Sequence, residues 1–359
     1  MNFGSDNQAG AAPRILEAIT EAYQGHATAY GGDDYKVRAE AALKDMFECD
    51  LTAFFVTTGT AANTLALSTL AMPWEGIYAH AHAHILSSES TGPALMTGGA
   101  SLLPIPEDSL RLTPAQFERH LATETSKGVH DVRPSALSLS QTNELGQVYP
   151  LEDVTRLCEM ARARGLRVHM DGARFTNALA TLRCSPADMS WRAGVDVLCL
   201  GATKCGAVAA EAVIFFDAAL ARDFAYRVKR SGHLVSKGRL FGAQFLAWLQ
   251  DDYWLTLASH ANQMAADLRA RLRMPGPVRL AFDTQGNESF AIMPKALVSS
   301  LHAAGATLFE WSPAGLPAEI RVGPDESLMR LVTSFATQSQ EIENLIAHIE
   351  RFGQAGNAH

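Results

Sequence analysis

Seven short apolar segments, mostly separated by stretches of helical spacing, constrain the fold of this 359-residue chain most strongly. Each is four to six residues long; they cover residues 53–58, 76–79, 100–103, 135–140, 166–170, 195–200 and 212–216. Strands that alternate with helices form a mainly parallel sheet covered by helices on both faces. Ligands of such a sheet bind beyond the carboxyl ends of its strands. We therefore expect the functional residues to follow the ends of these segments.

Two of the segments end next to residues that carry chemistry. Lys204 follows 195–200, and Asp171 follows 166–170. A lysine at the end of a buried strand must find a partner or lose its proton, because burial disfavours an isolated charge. Pyridoxal phosphate (PLP) needs this pair, a lysine to form a Schiff base and an aspartate to keep the pyridine nitrogen protonated. The sequence thus predicts a PLP site at this edge of the sheet.

A third segment, 53–58, runs through Thr58, Gly59 and Thr60 into a stretch of small residues with helical character. A strand that turns on glycine into a helix directs free backbone N–H groups, and the positive end of the helix dipole, at an anion. Many such turns bind no ligand, so the pattern indicates a binding site only in combination with Lys204 and Asp171. We predict that it holds the cofactor phosphate.

Composition excludes several classes of partner. The formal net charge is −8, from 38 acidic and 30 basic residues, which argues against a nucleic-acid-binding surface. No apolar run is long enough to span a membrane. The five cysteines are scattered without a CxxC pair, which favours reduced thiols. Residues 1–8 lack the pattern of an export signal, so we expect a cytoplasmic protein.

The length predicts a large domain followed by a smaller one. We place an N-terminal arm at residues 1–12, a large PLP-binding domain at 13–245 and a small α+β domain at 246–359. One long linking helix is expected between residues 240 and 274. The small domain is expected to contain strands at 278–282, 289–293 and near 306–311 and 319–322, and a final helix at 339–352.

An ordered set of motifs resembles the low-specificity L-threonine aldolases. The motifs are Ser5-Asp6, Tyr30-Gly-Gly-Asp-Asp34, Thr58-Gly-Thr-Ala-Ala-Asn63, Ala83-His84-Ile85, Asp171-Gly-Ala-Arg174, Gly201-Ala-Thr-Lys204 and Arg330-Leu-Val-Thr333. The resemblance implies the fold type I architecture of PLP-dependent enzymes and a homodimer or homotetramer with shared active sites. It also implies cleavage of L-threonine or L-allo-threonine to glycine and acetaldehyde, and of phenylserine-like substrates to an aromatic aldehyde.

The resemblance also implies roles for single residues. Lys204 carries the cofactor, Asp171 pairs with its ring nitrogen, Arg174 approaches its phenolic oxygen and the substrate, and Thr58, Gly59 and Thr60 hold its phosphate. Arg330 and Ser5 grip the substrate carboxylate, since a guanidinium can bind a carboxylate through two parallel hydrogen bonds. Tyr30 and the basic run 227–230 reach the site from a neighbouring subunit or lie on a solvated face.

His84 corresponds to the family histidine that stacks on the cofactor ring. Because cleavage requires a base that removes the proton of the β-hydroxyl group, His84 and His130 are both expected catalytic residues. His80, His82 and His84 alternate, and on a strand they would share one face as metal ligands do, but we expect no metal.

Two stretches depart from the commoner family pattern and contain Glu89 and Glu211. Both are expected to alter the substrate pocket more than the reaction. Lys204 and Asp171 alone would also suit a PLP-dependent β-eliminating lyase or an aminotransferase. A catalytically silent binding protein of the same fold is the alternative from another class, and the intact lysine and aspartate argue against it.

Overall fold

The computed structural model describes residues 1–105 and 109–356, with side chains through residue 354. Seven strands form the larger sheet: β1 (Thr52–Val56), β2 (Glu75–His80), β3 (Ser101–Ile105), β4 (Arg133–Ser140), β5 (Arg167–Gly172), β6 (Val197–Gly201) and β7 (Glu211–Phe215). Their order across the sheet is β1-β7-β6-β5-β4-β2-β3. Strand β7 is antiparallel to both of its neighbours, and the other neighbouring pairs are parallel. The predicted mainly parallel, seven-stranded sheet is confirmed.

The helices are α1 (Pro13–Ala22), α2 (Asp34–Phe47), α3 (Gly59–Leu67), α4 (His84–Ser87), α5 (Gly92–Thr97), α6 (Pro114–Thr123), α7 (Leu151–Ala163), α8 (Phe175–Leu182), α9 (Ala218–Ala221), α10 (Phe224–Arg230), α11 (Arg239–Leu249), α12 (Tyr253–Leu272), α13 (Lys295–Ala303) and α14 (Ser339–Gly356). No helix in the described part of the chain is both long and apolar enough to cross a membrane.

Strand β6 shows how the sheet is buried on both faces. Its residues Leu198 and Leu200 belong to one apolar cluster, and Val197 and Cys199 belong to another. Because successive side chains of a strand point to opposite faces, each face of β6 lies under its own apolar layer. This explains why the sequence here is a continuous apolar run instead of an alternating one.

The smaller sheet contains β8 (Arg279–Leu280), β9 (Glu288–Pro294), β10 (Phe309–Glu310) and β11 (Glu326–Val332), in the antiparallel order β10-β11-β9-β8. Apolar residues of α12, α13 and α14 share one cluster with this sheet. The expected small α+β domain is thus present, while its proposed first residue, 246, stays a prediction. Residues 357–359 lie outside the described part of the chain.

The N-terminal arm lies on the small sheet of its own chain. Asn2 forms a β-bridge with Thr307, and the Val332 N–H donates to the Phe3 carbonyl at 2.8 Å. At the other end of the arm, the Ala12 N–H donates to the Gly206 carbonyl, also at 2.8 Å. The arm therefore connects the last strand of the small sheet with the turn that follows Lys204.

Two expectations about the second half were wrong. The predicted helix at 240–274 is broken, because Asp251 and Asp252 have φ values of 56° and 52° between α11 and α12. Left-handed backbone cannot continue an α-helix. The strand expected near 319–322 is absent there, and the strand of this region is β11 instead. Residues 319–322 alternate between charged and apolar side chains, but four residues between a proline and a glycine are too few to identify a strand.

Candidate active site

The large sheet ends in a cavity of about 320 Å³ that contains most of the expected site residues. Its lining includes Lys204, Asp171, Arg174, His84 and the segment Thr58, Gly59 and Thr60. The parallel strands bring these residues together, because their carboxyl ends meet at one edge. A larger groove of about 690 Å³ lies along the end of α12 and α14, but it holds none of these groups.

Asp171 has a fixed orientation at the end of β5. Its Oδ2 accepts a hydrogen bond from the Asn63 amide at 2.8 Å, and its Oδ1 accepts one from the Ala173 N–H at 3.0 Å. The residue is buried. Because a carboxylate oxygen can accept two hydrogen bonds, each Asp171 oxygen retains capacity for a further donor.

A chain of hydrogen bonds joins Asp171 to His84. The Asn63 amide nitrogen also donates to Glu89 Oε1 at 2.8 Å, and this oxygen lies 2.9 Å from His84 Nδ1. The hydrogen bond to Glu89 raises the pKa of His84, against the effect of burial. His84 therefore favours the protonated form more than an ordinary histidine does.

His84, Glu89 and Asp171 place donor atoms within 4.8 Å of one another, a spacing that suits a metal ion. We assign no metal here, because the Asn63 amide donates to oxygens of both carboxylates and a cation would repel that donor. The three alternating histidines do not share a strand face. Strand β2 ends at His80, and His84 begins α4.

Lys204 lies in a single turn of 3₁₀-helix, Thr203–Cys205, directly after β6. Glu211 on β7, which pairs with Gly201 at the end of β6, lines the same cavity. Burial raises the pKa of Glu211 to about 7, although Thr203 and Lys204 oppose the change. A Cβ atom on Gly201 would lie 2.9 Å from Glu211 Oε2, so glycine permits this close approach.

The segment between β1 and α3 has the form of an anion site. Thr58 caps α3, and its side chain accepts from the Ala61 N–H at 3.1 Å. The next two residues, Gly59 and Thr60, form the first turn, whose N–H groups have no partner inside the helix. No heavy atom lies within 4 Å of the position of a Cβ on Gly59. Space for an anion is therefore available at this helix end.

Arg174 lines the cavity and forms an ion pair with Asp6 of the N-terminal arm. Its Nε and Nη2 donate to the two carboxylate oxygens of Asp6 at 2.7 and 3.0 Å. Burial would raise the pKa of Asp6, but the charges of Arg174 and Lys204 and the hydrogen bonds lower it to about 2. Arg174 Nη2 also lies 3.4 Å from Glu288 Oε1. The arm thus supplies a permanent counter-charge at the cavity.

Comparison with known proteins identifies the family. The model of the beta-eliminating lyase family matches residues 2–293. The chain belongs to this family. The low specificity L-threonine aldolase of Pseudomonas aeruginosa is 39% identical over 303 residues, which are 84% of this chain and 87% of that protein. The corresponding Escherichia coli enzyme is 24% identical over 98% of this chain and 99% of its own.

Two solved structures are similar to this chain over nearly its whole length. The threonine aldolase of Leishmania major superposes with a TM-score of 0.88 at 27% identity, covering 98% of this chain and 99% of that one. The serine palmitoyltransferase of Sphingomonas wittichii superposes with a TM-score of 0.72 at 17% identity, covering 100% and 88%. The second likeness concerns the fold alone. Both solved structures share with this chain the fold type I architecture expected from the sequence.

Two residues expected in the site of this lyase do not reach the cavity of their own chain. His130 lies in a short 3₁₀-helix before β4, at the amino end of that strand. Since β4 has eight residues, this end is roughly 20 Å from the cavity edge. His130 therefore does not reach this cavity within its own chain, and its catalytic role stays a prediction. Tyr30 is 55% exposed, with Lys229 Nζ 5.1 Å from its ring centre.

Arg330 and Ser5 lie behind the cavity wall. Arg330 Nη1 is 3.7 Å from Glu288 Oε1, the same oxygen that Arg174 approaches. The Nε of Arg330 is buried and has no hydrogen-bond partner among the described residues. Ser5 accepts from the Asn7 N–H at 3.2 Å, and Asn7 lines the cavity. Ser5 thus lies one contact away from the lining, and Arg330 lies two contacts away, through Glu288 and Arg174.

Sequence reasoning missed the roles of several polar residues in the lyase site. Asn63 was recognised as part of a motif without a function, and Glu89 and Glu211 as departures from the family pattern. Glu144 was not singled out. It lies four residues beyond the end of β4, and the rule that ligands gather at strand ends was a signal that could have found it.

Proposed function

We propose that this chain is a PLP-dependent aldolase that cleaves L-threonine, L-allo-threonine and phenylserine-like amino acids reversibly to glycine and an aldehyde. The observation that carries the proposal is that Lys204, Asp171 and the N-terminus of α3 meet at one cavity. The 39% identity to a low specificity L-threonine aldolase supports this choice of reaction.

The described residues fit PLP at three points. Lys204 offers an amine for the cofactor aldehyde, and Asp171 has spare acceptor capacity for a pyridine N–H. The open helix end at Thr58, Gly59 and Thr60 suits the phosphate. When bound, PLP supplies a ring system that accepts the electron pair released as the Cα–Cβ bond breaks. Asp171 favours this by keeping the ring nitrogen protonated.

We assign the substrate carboxylate to Arg330 with Ser5 beside it, and a supporting contact to Arg174. The unpartnered, buried Nε of Arg330 supports this assignment, because an isolated buried donor is costly unless a ligand satisfies it. Arg174 has less capacity, since Asp6 already occupies two of its donors. A fixed carboxylate orients the amino acid so that its Cα–Cβ bond stands perpendicular to the cofactor ring.

We propose that His84 lies against the cofactor ring. Its position in the cavity lining supports this, and the hydrogen bond to Glu89 fixes the ring. We also propose a homodimer or homotetramer in which Tyr30 and residues 227–230 approach the cavity of a neighbouring subunit. The exposure of Tyr30 supports this arrangement. A cytoplasmic location is supported by the free thiols of all five cysteines.

The test is incubation of the PLP-loaded protein with L-threonine, L-allo-threonine and phenylserine, with detection of the aldehyde and of glycine. We expect both products in equal amounts from each substrate. Ammonia and a keto acid would indicate a β-eliminating lyase, and a keto acid that requires an amino acceptor would indicate an aminotransferase. A protein that stays colourless after PLP addition would support the catalytically silent alternative.

A further inference from the structure

Glu144 is a titratable group of the cavity to which neither the family pattern nor the assignments above give a role. It lies in the loop after β4 and lines the cavity together with Lys204 and Asp171. Its Oε1 accepts hydrogen bonds from the His84 backbone N–H at 2.7 Å and from the Ser140 hydroxyl at 2.9 Å. Neither bond uses Oε2, so this oxygen is available to accept a proton.

A structural role alone would not require a carboxylate at this position. The bond to the His84 N–H satisfies one of the donors at the start of α4, and the bond to Ser140 holds the loop against β4. A glutamine side chain has the same shape and could accept both hydrogen bonds through its carbonyl oxygen. What glutamine lacks is the ability to gain and lose a proton.

We propose that Glu144 is a catalytic acid–base group that takes the proton of the substrate β-hydroxyl during cleavage and returns it in the reverse reaction. This inference rests on the proposed aldolase function. It follows from the place of Glu144 in the cavity lining and from the two donors that hold its carboxyl group beside His84.

The proton and electron balance of the step is complete. The β-hydroxyl proton passes to the Glu144 carboxylate, and the electron pair of the O–H bond becomes the second bond of the aldehyde carbonyl group. The Cα–Cβ bond breaks, and its electron pair remains with the glycine fragment. That fragment later takes up one proton at Cα, and Glu144 releases the proton it took from the hydroxyl group. The carboxylate is thereby restored, and no oxidant or reductant is consumed.

The electrostatic surroundings suit this exchange. Burial of the carboxyl group raises the pKa of Glu144 to about 7, and the negative charge of Asp171 acts in the same direction. The other charged or titratable groups that face Glu144 are His84, Arg174 and Tyr149. A base works best when its pKa lies near the working pH, because it is then both available and strong enough. Cleavage should therefore increase with pH through about 7 as Glu144 loses its proton.

The two histidines expected as bases are less suitable. His130 lies at the amino end of β4, away from the cavity of its own chain. His84 lines the cavity, but its hydrogen bond to Glu89 raises its pKa and favours the protonated ring, which donates a proton instead of accepting one. Glu144 therefore matches the required proton acceptor better than either histidine, both in its position and in its protonation.

Glu144→Gln tests the proposal, with two reactions measured on the PLP-loaded enzyme. One is cleavage of L-threonine, and the other is exchange of the glycine α-proton with deuterium from D₂O, followed by NMR. Exchange needs Lys204 and the cofactor but involves no β-hydroxyl group. We expect cleavage to slow by roughly 100-fold or more, as for loss of a positioned base, while exchange stays within about threefold of wild type. The rise of the cleavage rate with pH near 7 should disappear.

Glu152→Gln is the matched control, because it removes an exposed carboxylate at the start of α7. Its rates should equal those of wild type, and Glu144→Asp should restore part of the cleavage rate and its pH dependence. Cleavage by Glu144→Gln within about threefold of wild type would overturn the proposal. So would an equal loss of cleavage and exchange, which would mean that Glu144 only holds the site together. If the wild-type enzyme exchanges glycine protons but cleaves no β-hydroxy amino acid, the aldolase function fails and this role fails with it.

Discussion

Two clusters of polar residues, here called the sheet wall and the arm wall, flank the cavity and differ in their charges. On the sheet wall, which consists of His84, Glu89, Asn63 and Asp171, a neutral amide links two carboxylates at 2.8 Å each. On the arm wall, which consists of Asp6, Arg174, Glu288 and Arg330, guanidinium groups face carboxylates at distances of 2.7 to 3.7 Å. The sheet wall lies beside groups that titrate near neutrality, and the arm wall carries guanidinium groups that stay charged.

The difference separates two tasks. A permanent cation is what a substrate carboxylate needs, because its affinity should not depend on small changes of pH. Proton transfer requires the opposite, groups whose protonation changes near the working pH, as expected for Glu144 and Glu211. We expect substitutions on the sheet wall to change turnover and substitutions on the arm wall to change substrate binding and stability.

The largest effect should follow from removing the cofactor-bearing amine between the walls. Lys204→Ala should lose both the visible absorption band of bound PLP and all aldehyde formation, because no side chain remains to hold the cofactor covalently. Absorbance and aldehyde assays of the purified variant measure both. Normal turnover without an added amine would show that Lys204 is not the attachment point.

The sheet wall is tested next by Asp171→Asn. The amide preserves the shape but no longer stabilises a protonated pyridine nitrogen, so we expect kcat to fall by roughly 100- to 1000-fold, as for loss of one preorganised electrostatic contact. Cofactor absorbance should remain. Asp188→Asn, which changes an exposed carboxylate, is the control and should leave kcat unchanged. Equal turnover in both variants would refute the electronic role of Asp171.

The arm wall is tested by Arg330→Ala. Loss of the guanidinium should raise KM for every amino-acid substrate by roughly 30-fold, equivalent to about 2 kcal/mol, while kcat changes less. Arg271→Ala, which removes an exposed arginine of the same domain, should leave KM unaltered. Initial-rate kinetics with L-threonine and phenylserine decide the matter. An unchanged KM would move the carboxylate site to another residue.

The smallest effect concerns stability and pH on the arm wall. The folded pKa of Asp6, about 2, lies below the ordinary value of 3.8, so its charge stabilises the fold above pH 4 and this contribution is lost as the pH falls toward 2. The pH-dependent contribution of Asp6 to the free energy of unfolding is about 2 kcal/mol. The melting temperatures of wild type and Asp6→Asn should thus converge between pH 4 and pH 2. Asp251→Asn, in an exposed ion pair with Arg14, is the control and should show almost no difference.

The sequence was sufficient for the part of the site that follows from sheet geometry. Lys204 and Asp171 could be placed together because both follow buried strands, and parallel strands end at one edge. The same rule separates His130 from the cavity of its own chain, because His130 precedes its strand instead of following it. Only the family spacing pointed to His130 as a catalytic residue.

Contacts between distant segments could not be read from the sequence. The bond from Asn63 to both Glu89 and Asp171 depends on how α3 packs against the sheet, and no local pattern encodes that packing. The pairing of Asp6 with Arg174 joins residues that are 168 positions apart. The segment 319–322 of the small domain was equally ambiguous, because an alternation over only four residues does not establish a strand.

The pairing of Phe3 with Val332 has a consequence for how the enzyme matures. During synthesis the large sheet can form as soon as β7 has left the ribosome, since domains fold as units while the chain grows. The arm must wait for β11, because this partner strand is made after all strands of the large sheet. Asp6 reaches Arg174 only after this docking. We therefore expect nascent chains to pass through a stage in which Lys204 and Asp171 are in place but the arm has not docked, and stable capture of the cofactor to follow the synthesis of β11.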